Sequence, residues 1–129
     1  MTVGQLRLVV EADDLEAAID FYRDALGLAE EFDITGPRGE RVVCLNAGRA
    51  TLELINAAQR DYIDHVEVGK AVAPRIRVAF EVDDVEATTS TLEKKGASLI
   101  ARPTLTPWKS RNSRLSAPAG LQLTLFEEP

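Results

Sequence analysis

Leu6-Arg7-Leu8-Val9-Val10-Glu11-Ala12-Asp13-Asp14-Leu15-Glu16-Ala17 returns about 70 residues later as Ile76-Arg77-Val78-Ala79-Phe80-Glu81-Val82-Asp83-Asp84-Val85-Glu86-Ala87. A repeat roughly half the chain long is one supersecondary module used twice, not a solenoid unit. Each copy opens with an apolar run rich in Val, Leu and Ile, the mark of a strand. Each then passes through Asp followed three residues later by Glu (Asp13 and Glu16, Asp83 and Glu86), a capping-box-like helix start. Two half-open modules of one kind can face each other and enclose a site.

The rest of each half follows the same order. In the first helix Leu15, Ala18, Ile19, Tyr22 and Leu26 recur at helical spacing, and Phe21 and Tyr22 read as core. Gly27 and Gly96 stop the two helices. Strands are expected over 28–35, 41–46 and 49–56, with turns at Gly36-Pro37-Arg38-Gly39 and Ala47-Gly48. The second half offers strands over 77–82, 98–102, 110–116 and 121–126, with a helix over 85–95. Pro103, Pro107 and Pro118 are placed between its strands. The expectation is one α+β domain over 1–129, built of two βαβββ modules. Module one covers about 1–57 and module two about 75–129. The segment of about 58–74 between them reads as polar and irregular.

The chain has 129 residues, 45% hydrophobic and 28% charged, enough for a sizeable core. Its formal net charge of −6 argues against nucleic acid and against anionic membrane surfaces as partners. The single Cys44 excludes an intrachain disulfide and reads as a small apolar residue on a strand. No basic-then-apolar leader opens the sequence, and no apolar run approaches a membrane span. A cytoplasmic location is therefore expected.

Asp14-Leu15-Glu16 followed by Phe21-Tyr22-Arg23-Asp24-Ala25-Leu26-Gly27-Leu28 resembles the vicinal oxygen chelate superfamily. So do Phe80-Glu81-Val82-Asp83-Asp84, Gly96-Ala97 and the tail Pro107-Trp108 through Phe126-Glu127. That group includes glyoxalases, extradiol dioxygenases and bleomycin-resistance binding proteins. The resemblance implies a curved eight-stranded cleft, the glyoxalase/bleomycin-resistance fold, completed by dimerisation. It also implies four metal ligands in metal-dependent members, usually His, Glu, His and Glu. They come from the first and last strand of each module.

Carried onto this chain, those positions are Arg7, Glu53, Arg77 and Thr124. Arginine has no lone pair to give, and two guanidinium groups repel a cation. A register error of two residues brings in Gln5 or Val9, and Arg75 or Ala79, which rescues nothing. The only histidine, His65, lies between the modules and reads as a partly exposed imidazole among acids. No metal and no cofactor are expected.

Arg7, Arg77 and Glu53 have three open readings: a salt bridge closing the old metal site, a grip on a ligand's polar group, or arginines pointing outward. Trp108, the one tryptophan, sits in a Pro-bounded loop and resembles the stacking platform of drug-binding relatives, though it could equally lid the core. Arg111 and Asn112 could supply ligand hydrogen bonds, and Tyr62 could edge the cleft or a dimer interface. No catalytic residue is assigned; Glu53 alone could act as a base. The reading is a metal-free, homodimeric protein that sequesters a bulky, partly aromatic antibiotic or natural product. Its rivals are an enzyme of the same superfamily (lyase, isomerase or dioxygenase) with an altered site, and a module whose cleft is packed shut.

Overall fold

A computed structural model describes residues 2–129. The first copy of the repeat forms β1 (Val3–Glu11), α1 (Leu15–Ile19), β2 (Ala29–Thr35), β3 (Arg41–Ala47) and β4 (Ala50–Ile55). A helix α2 (Ala57–Glu67) leads to the second copy: β5 (Ile76–Val82), α3 (Val85–Lys94), β6 (Ser98–Leu105), β7 (Arg111–Ser116) and β8 (Gln122–Glu127). The caps fall one residue later than the spacing predicts. Asp14 accepts from Ala17 N and Asp84 from Ala87 N, both at 3.0 Å.

All eight strands form one sheet in the order β2-β3-β4-β1-β5-β8-β7-β6. β1 and β5 pair antiparallel at its centre, with Leu8 opposite Val78. Each pairs parallel with the last strand of its own module, β4 or β8. The repeat therefore becomes an approximate two-fold about the β1–β5 seam.

Alternation along the strands gives the sheet two unlike faces. On the outer face α1 packs Leu15 and Ile19 onto Val43, Leu45 and Leu54. There α3 packs Val85 onto Val82, Leu115 and Leu125. The opposite face carries Arg7, Glu53, Arg77 and Thr124. Residues from edge strand β2 and from β7 line one cavity on that side, so the sheet curves around it.

Three further expectations change. The connecting segment is not irregular: Asn56 caps α2 by accepting from Gln59 N at 2.9 Å. Its buried residues are Gln59, Asp64 and Glu67, so no apolar period announced a helix. The first helix does not keep its stripe. Beyond Ile19 it widens into a π-helical turn (Asp20–Ala25), with Leu26 N bonded to Phe21 O at 2.9 Å. The wider turn rotates later residues off the core line. Phe21 and Leu26 are consequently 61% and 62% exposed, while Tyr22 still packs against the core. Pro103 lies inside β6, at a register shift on the sheet edge, where its missing N–H costs no ladder bond.

The β2–β3 turn (Gly36-Pro37-Arg38-Gly39-Glu40) and the β6–β7 turn (Thr106-Pro107-Trp108-Lys109-Ser110) are equivalents across the two-fold. Each is closed by a 2.8 Å bond, Gly36 N to Glu40 O and Thr106 N to Ser110 O. The fourth residue takes a positive φ in both, 82° at Gly39 and 76° at Lys109. Lysine resists that conformation, so the turn carrying Trp108 is held by its neighbours. Thr106 Oγ1 accepts from Ser110 N at 3.2 Å.

Candidate functional site

The sheet and the α2 helix bound a cavity of about 650 Å³. Arg7, Glu53, Arg77, Thr124, Asn112 and Trp108, all singled out in the sequence, line it together. Phe32, Ile34 and Val42 from module one add apolar wall, as do Ile63 of α2 and Phe126 of β8. Tyr62 also lines it, its ring 6.2 Å from that of Trp108 and tilted by 51°. Trp108 is 42% exposed, so it stands at the mouth and not as a lid on the core. Arg38 occupies the matching place on the other turn.

Among the described residues no carboxylate reaches Arg77 within salt-bridge distance, and no cation reaches Glu53. The closing salt bridge is thus not formed. Arg77 is 7% exposed and donates Nη1 to Thr124 Oγ1 at 2.7 Å. Burial lowers its pKa, yet a guanidinium stays charged at any ordinary pH. Arg7 lies along the wall. Its Nε donates to Gln5 Oε1 at 3.0 Å, and its guanidinium sits 4.8 Å from the Phe126 ring centre. Glu128 approaches it only to 4.0 Å at the rim. Neither arginine points outward. Thr51, beside Arg7 in the register, is buried with a hydroxyl that has no partner among the described residues.

Glu53 has its pKa raised, first by burial; Arg77 and Arg7 oppose the rise, and Glu67 adds to it. Opposite it in the sheet, the Cys44 thiol is pushed up to about 12, first by burial and then by the Glu53 charge. Cys44 is inert at neutral pH.

The raised Glu53 pKa has a stability consequence. The folded state holds this proton more tightly than the unfolded one, so the wild type loses stability as pH rises through the folded pKa. Glu53→Gln should melt like the wild type near pH 4. Above neutrality it should be more stable by about 1–3 kcal/mol, the cost of an unpartnered buried polar group. Thermal melts across pH check this; equal melting temperatures at alkaline pH would refute it.

Sequence reasoning missed the deepest polar cluster. Arg114 of β7 is fully buried, and its guanidinium meets Asp64 Oδ1 at 2.8 Å, Glu67 Oε1 at 2.7 Å and Gln122 Oε1 at 2.9 Å. Asp64 Oδ2 also accepts from Val72 N and Ala73 N, both at 2.9 Å. Burial alone would raise the Asp64 pKa, but those two amides and Arg114 outweigh it and hold the group below the ordinary carboxylate range. Asn112 donates Nδ2 to Glu67 at 2.6 Å and accepts from Ser110 Oγ at 2.7 Å. It lines the cavity with both polar atoms engaged. A signal was present: Arg114 is a charge in mid-strand, where the repeat gives Cys44.

Arg111 is corrected. Strand alternation turns it to the outer face, where it bonds Glu86 of α3. Its repeat equivalent Arg41 does the same with Glu16 of α1. The pair is a structural echo of the repeat, outside the cavity lining. His65 is exposed on α2 and also outside it.

The four ligand positions of the fold converge, but their residues do not fit a divalent cation. Arg77 holds a fixed positive charge there, and the Thr124 oxygen accepts its hydrogen bond. Glu53 is the one anionic donor of the four, and among the described residues no group of three His, Cys, Asp or Glu gathers anywhere. Nor is any helix among them long and apolar enough to cross a membrane.

Among solved structures, the fold is similar to a hypothetical protein from Bacillus halodurans C-125 (TM-score 0.70, 15% identity, 99% of this chain and 94% of that one). It is also similar to methylmalonyl-CoA epimerase from Mycobacterium tuberculosis (TM-score 0.65, 21% identity, 98% and 87%). A glyoxalase/bleomycin resistance protein/dioxygenase superfamily member from Vibrio splendidus 12B01 aligns at TM-score 0.67 and 13% identity, covering 98% and 100%. At these identities the likeness is one of fold. Among curated proteins there is no match. The family model of the Glyoxalase/Bleomycin resistance protein/Dioxygenase superfamily matches residues 4–125, and with this sheet order the chain belongs to that superfamily.

Proposed function

We propose that the protein binds a bulky, partly aromatic small molecule in this cavity without a metal, and acts by sequestering it, as in self-protection against an antibiotic or natural product. The observation that carries the reading is the open cavity of about 650 Å³, walled by aromatic and aliphatic side chains and floored by guanidinium groups. That volume lies within the roughly 300–1,000 Å³ typical of small-molecule sites. Sequestration needs burial and orientation but no chemistry, which accords with a donor set unsuited to a metal. An open cavity also speaks against a cleft packed shut by its own side chains.

The proposed assembly is a homodimer. Its support is the outer face of the central seam, which neither α1 nor α3 covers and where Leu6, Leu8 and Ile76 are exposed. Light scattering at twice the chain mass supports a dimer, and the single-chain mass removes it.

Trp108 is the only tryptophan, so its fluorescence reports on the mouth of the cavity. Bleomycin, mitomycin and enediyne compounds are the first panel. Quenching with one molecule bound per cavity is expected, with affinity at least about tenfold weaker in Trp108→Ala when followed by calorimetry, as for an aromatic anchor. No response and no thermal shift from any compound would count against sequestration of this class.

One observation favours a second reading. Glu53 faces the cavity unpaired, with the raised pKa that suits a general base, so the chain could be a superfamily enzyme with an altered site. Turnover of a candidate substrate that Glu53→Gln abolishes while affinity persists would establish it.

A further inference from the structure

The cavity wall holds two kinds of buried ionisable group, and burial acts on them differently. A carboxyl such as Glu53 escapes the cost of burial by taking up a proton. A guanidinium cannot, because it stays protonated at every accessible pH. Of the other carboxylates on the wall, Glu40 pairs with Arg38, Glu67 with Arg114, and Glu128 with Arg7 at 4.0 Å. Arg77 is 7% exposed, its one hydrogen bond goes to a neutral hydroxyl, and among the described residues Glu67, Glu53 and Asp64 act on it only from beyond salt-bridge distance. By contrast, Arg114, which is fully buried, is matched by Asp64 and Glu67. A buried charge without a directly bonded counter-ion is costly, and a ligand can supply that partner.

Arg7 stands beside it. The register sets Val9 opposite Arg77, so Arg7 is two residues along the neighbouring strand on the same face. Its Nε is taken by Gln5, and its plane is steadied over Phe126. Two planar guanidinium groups on adjacent strands match a planar anion with two oxygens. Asn112 is spent on Glu67 and Ser110, so it does not compete for that anion.

We propose that the molecule bound here is an aromatic carboxylic acid, its carboxylate docked between Arg7 and Arg77 and its ring system toward Tyr62 and Trp108. The assignment rests on the reading of the cavity as a binding site and names the ligand class for it.

The test compares 2-naphthoic acid with 2-naphthamide, which share shape but not charge, by calorimetry near neutral pH. The acid should bind at least about tenfold tighter than the amide. Arg77→Gln should erase the preference and leave amide affinity in place. Arg7→Gln, at a less buried site, should reduce it at least about threefold, which keeps the test valid if the Arg77 variant folds poorly. Glu53→Gln should retain the preference. Equal affinity for acid and amide in the wild type would overturn the assignment and leave the cavity reading intact. Silence of both probes alongside a responsive antibiotic panel would overturn it too. Silence of both with a silent panel would bring down the cavity reading itself.

Discussion

Arg114→Met should cost about 3–5 kcal/mol of stability, the range for stripping one partner from a buried ion cluster. The fully buried guanidinium is the shared partner of Asp64 and Glu67, both on α2. Without it two carboxylates remain in the interior with no counter-ion. The apolar substitute Arg114→Met with Asp64→Leu and Glu67→Met should recover much of the loss, because removing a whole buried cluster is close to neutral. Magnitude separates this site from the other ion pairs. The Arg111–Glu86 and Arg41–Glu16 pairs are solvated, and breaking either should cost less than about 1 kcal/mol. Urea unfolding followed by circular dichroism measures all three, and an Arg114→Met midpoint equal to wild type would show that α2 is not held by this cluster. The cluster should also be acid-labile. Asp64 titrates below its unfolded value, so its contribution is full above about pH 4 and is lost as pH falls through the folded pKa.

The second large effect is a gain. Arg7→His, Arg77→His and Thr124→Glu, together with the native Glu53, place two imidazoles and two carboxylates on the cavity face of β1, β4, β5 and β8. These are neighbouring strands, and their register already brings the Arg77 guanidinium to Thr124. Imidazole and carboxylate suit Zn²⁺, Ni²⁺ and Mn²⁺, and the arginine charges that oppose a cation are gone. The triple variant should bind a divalent metal at about micromolar Kd or tighter, about 8 kcal/mol, where the wild type shows none by calorimetry. Failure of a folded triple variant to bind would show that the strand positions do not converge as described.

The repeat made the fold legible. Leu6 to Ala17 and Ile76 to Ala87 gave both strand–helix units, and the Arg7, Glu53, Arg77 and Thr124 positions followed from the resemblance and do share one cavity. What stayed hidden has a physical reason in each case. The α2 helix buries Gln59, Asp64 and Glu67, so it lacks the apolar period by which helices are recognised. Arg111 and Asn112 are adjacent in sequence but on opposite faces of a strand, and the sequence read them as one group. The π-helical turn after Ile19 moved Leu26 off the core line, which no residue spacing announces. Arg114 was readable in principle as a mid-strand charge against Cys44, yet its partners lie 47 and 50 residues away on a helix not foreseen.

The account stands on positive charge occupying the place where this superfamily can hold a cation. Elemental analysis of the wild-type protein, purified without chelator and then dialysed against equimolar Zn²⁺, Ni²⁺ and Mn²⁺, tests that directly. Less than about 0.1 divalent ion per chain is the result it predicts; a stoichiometric ion, lost on Glu53→Gln, would contradict it.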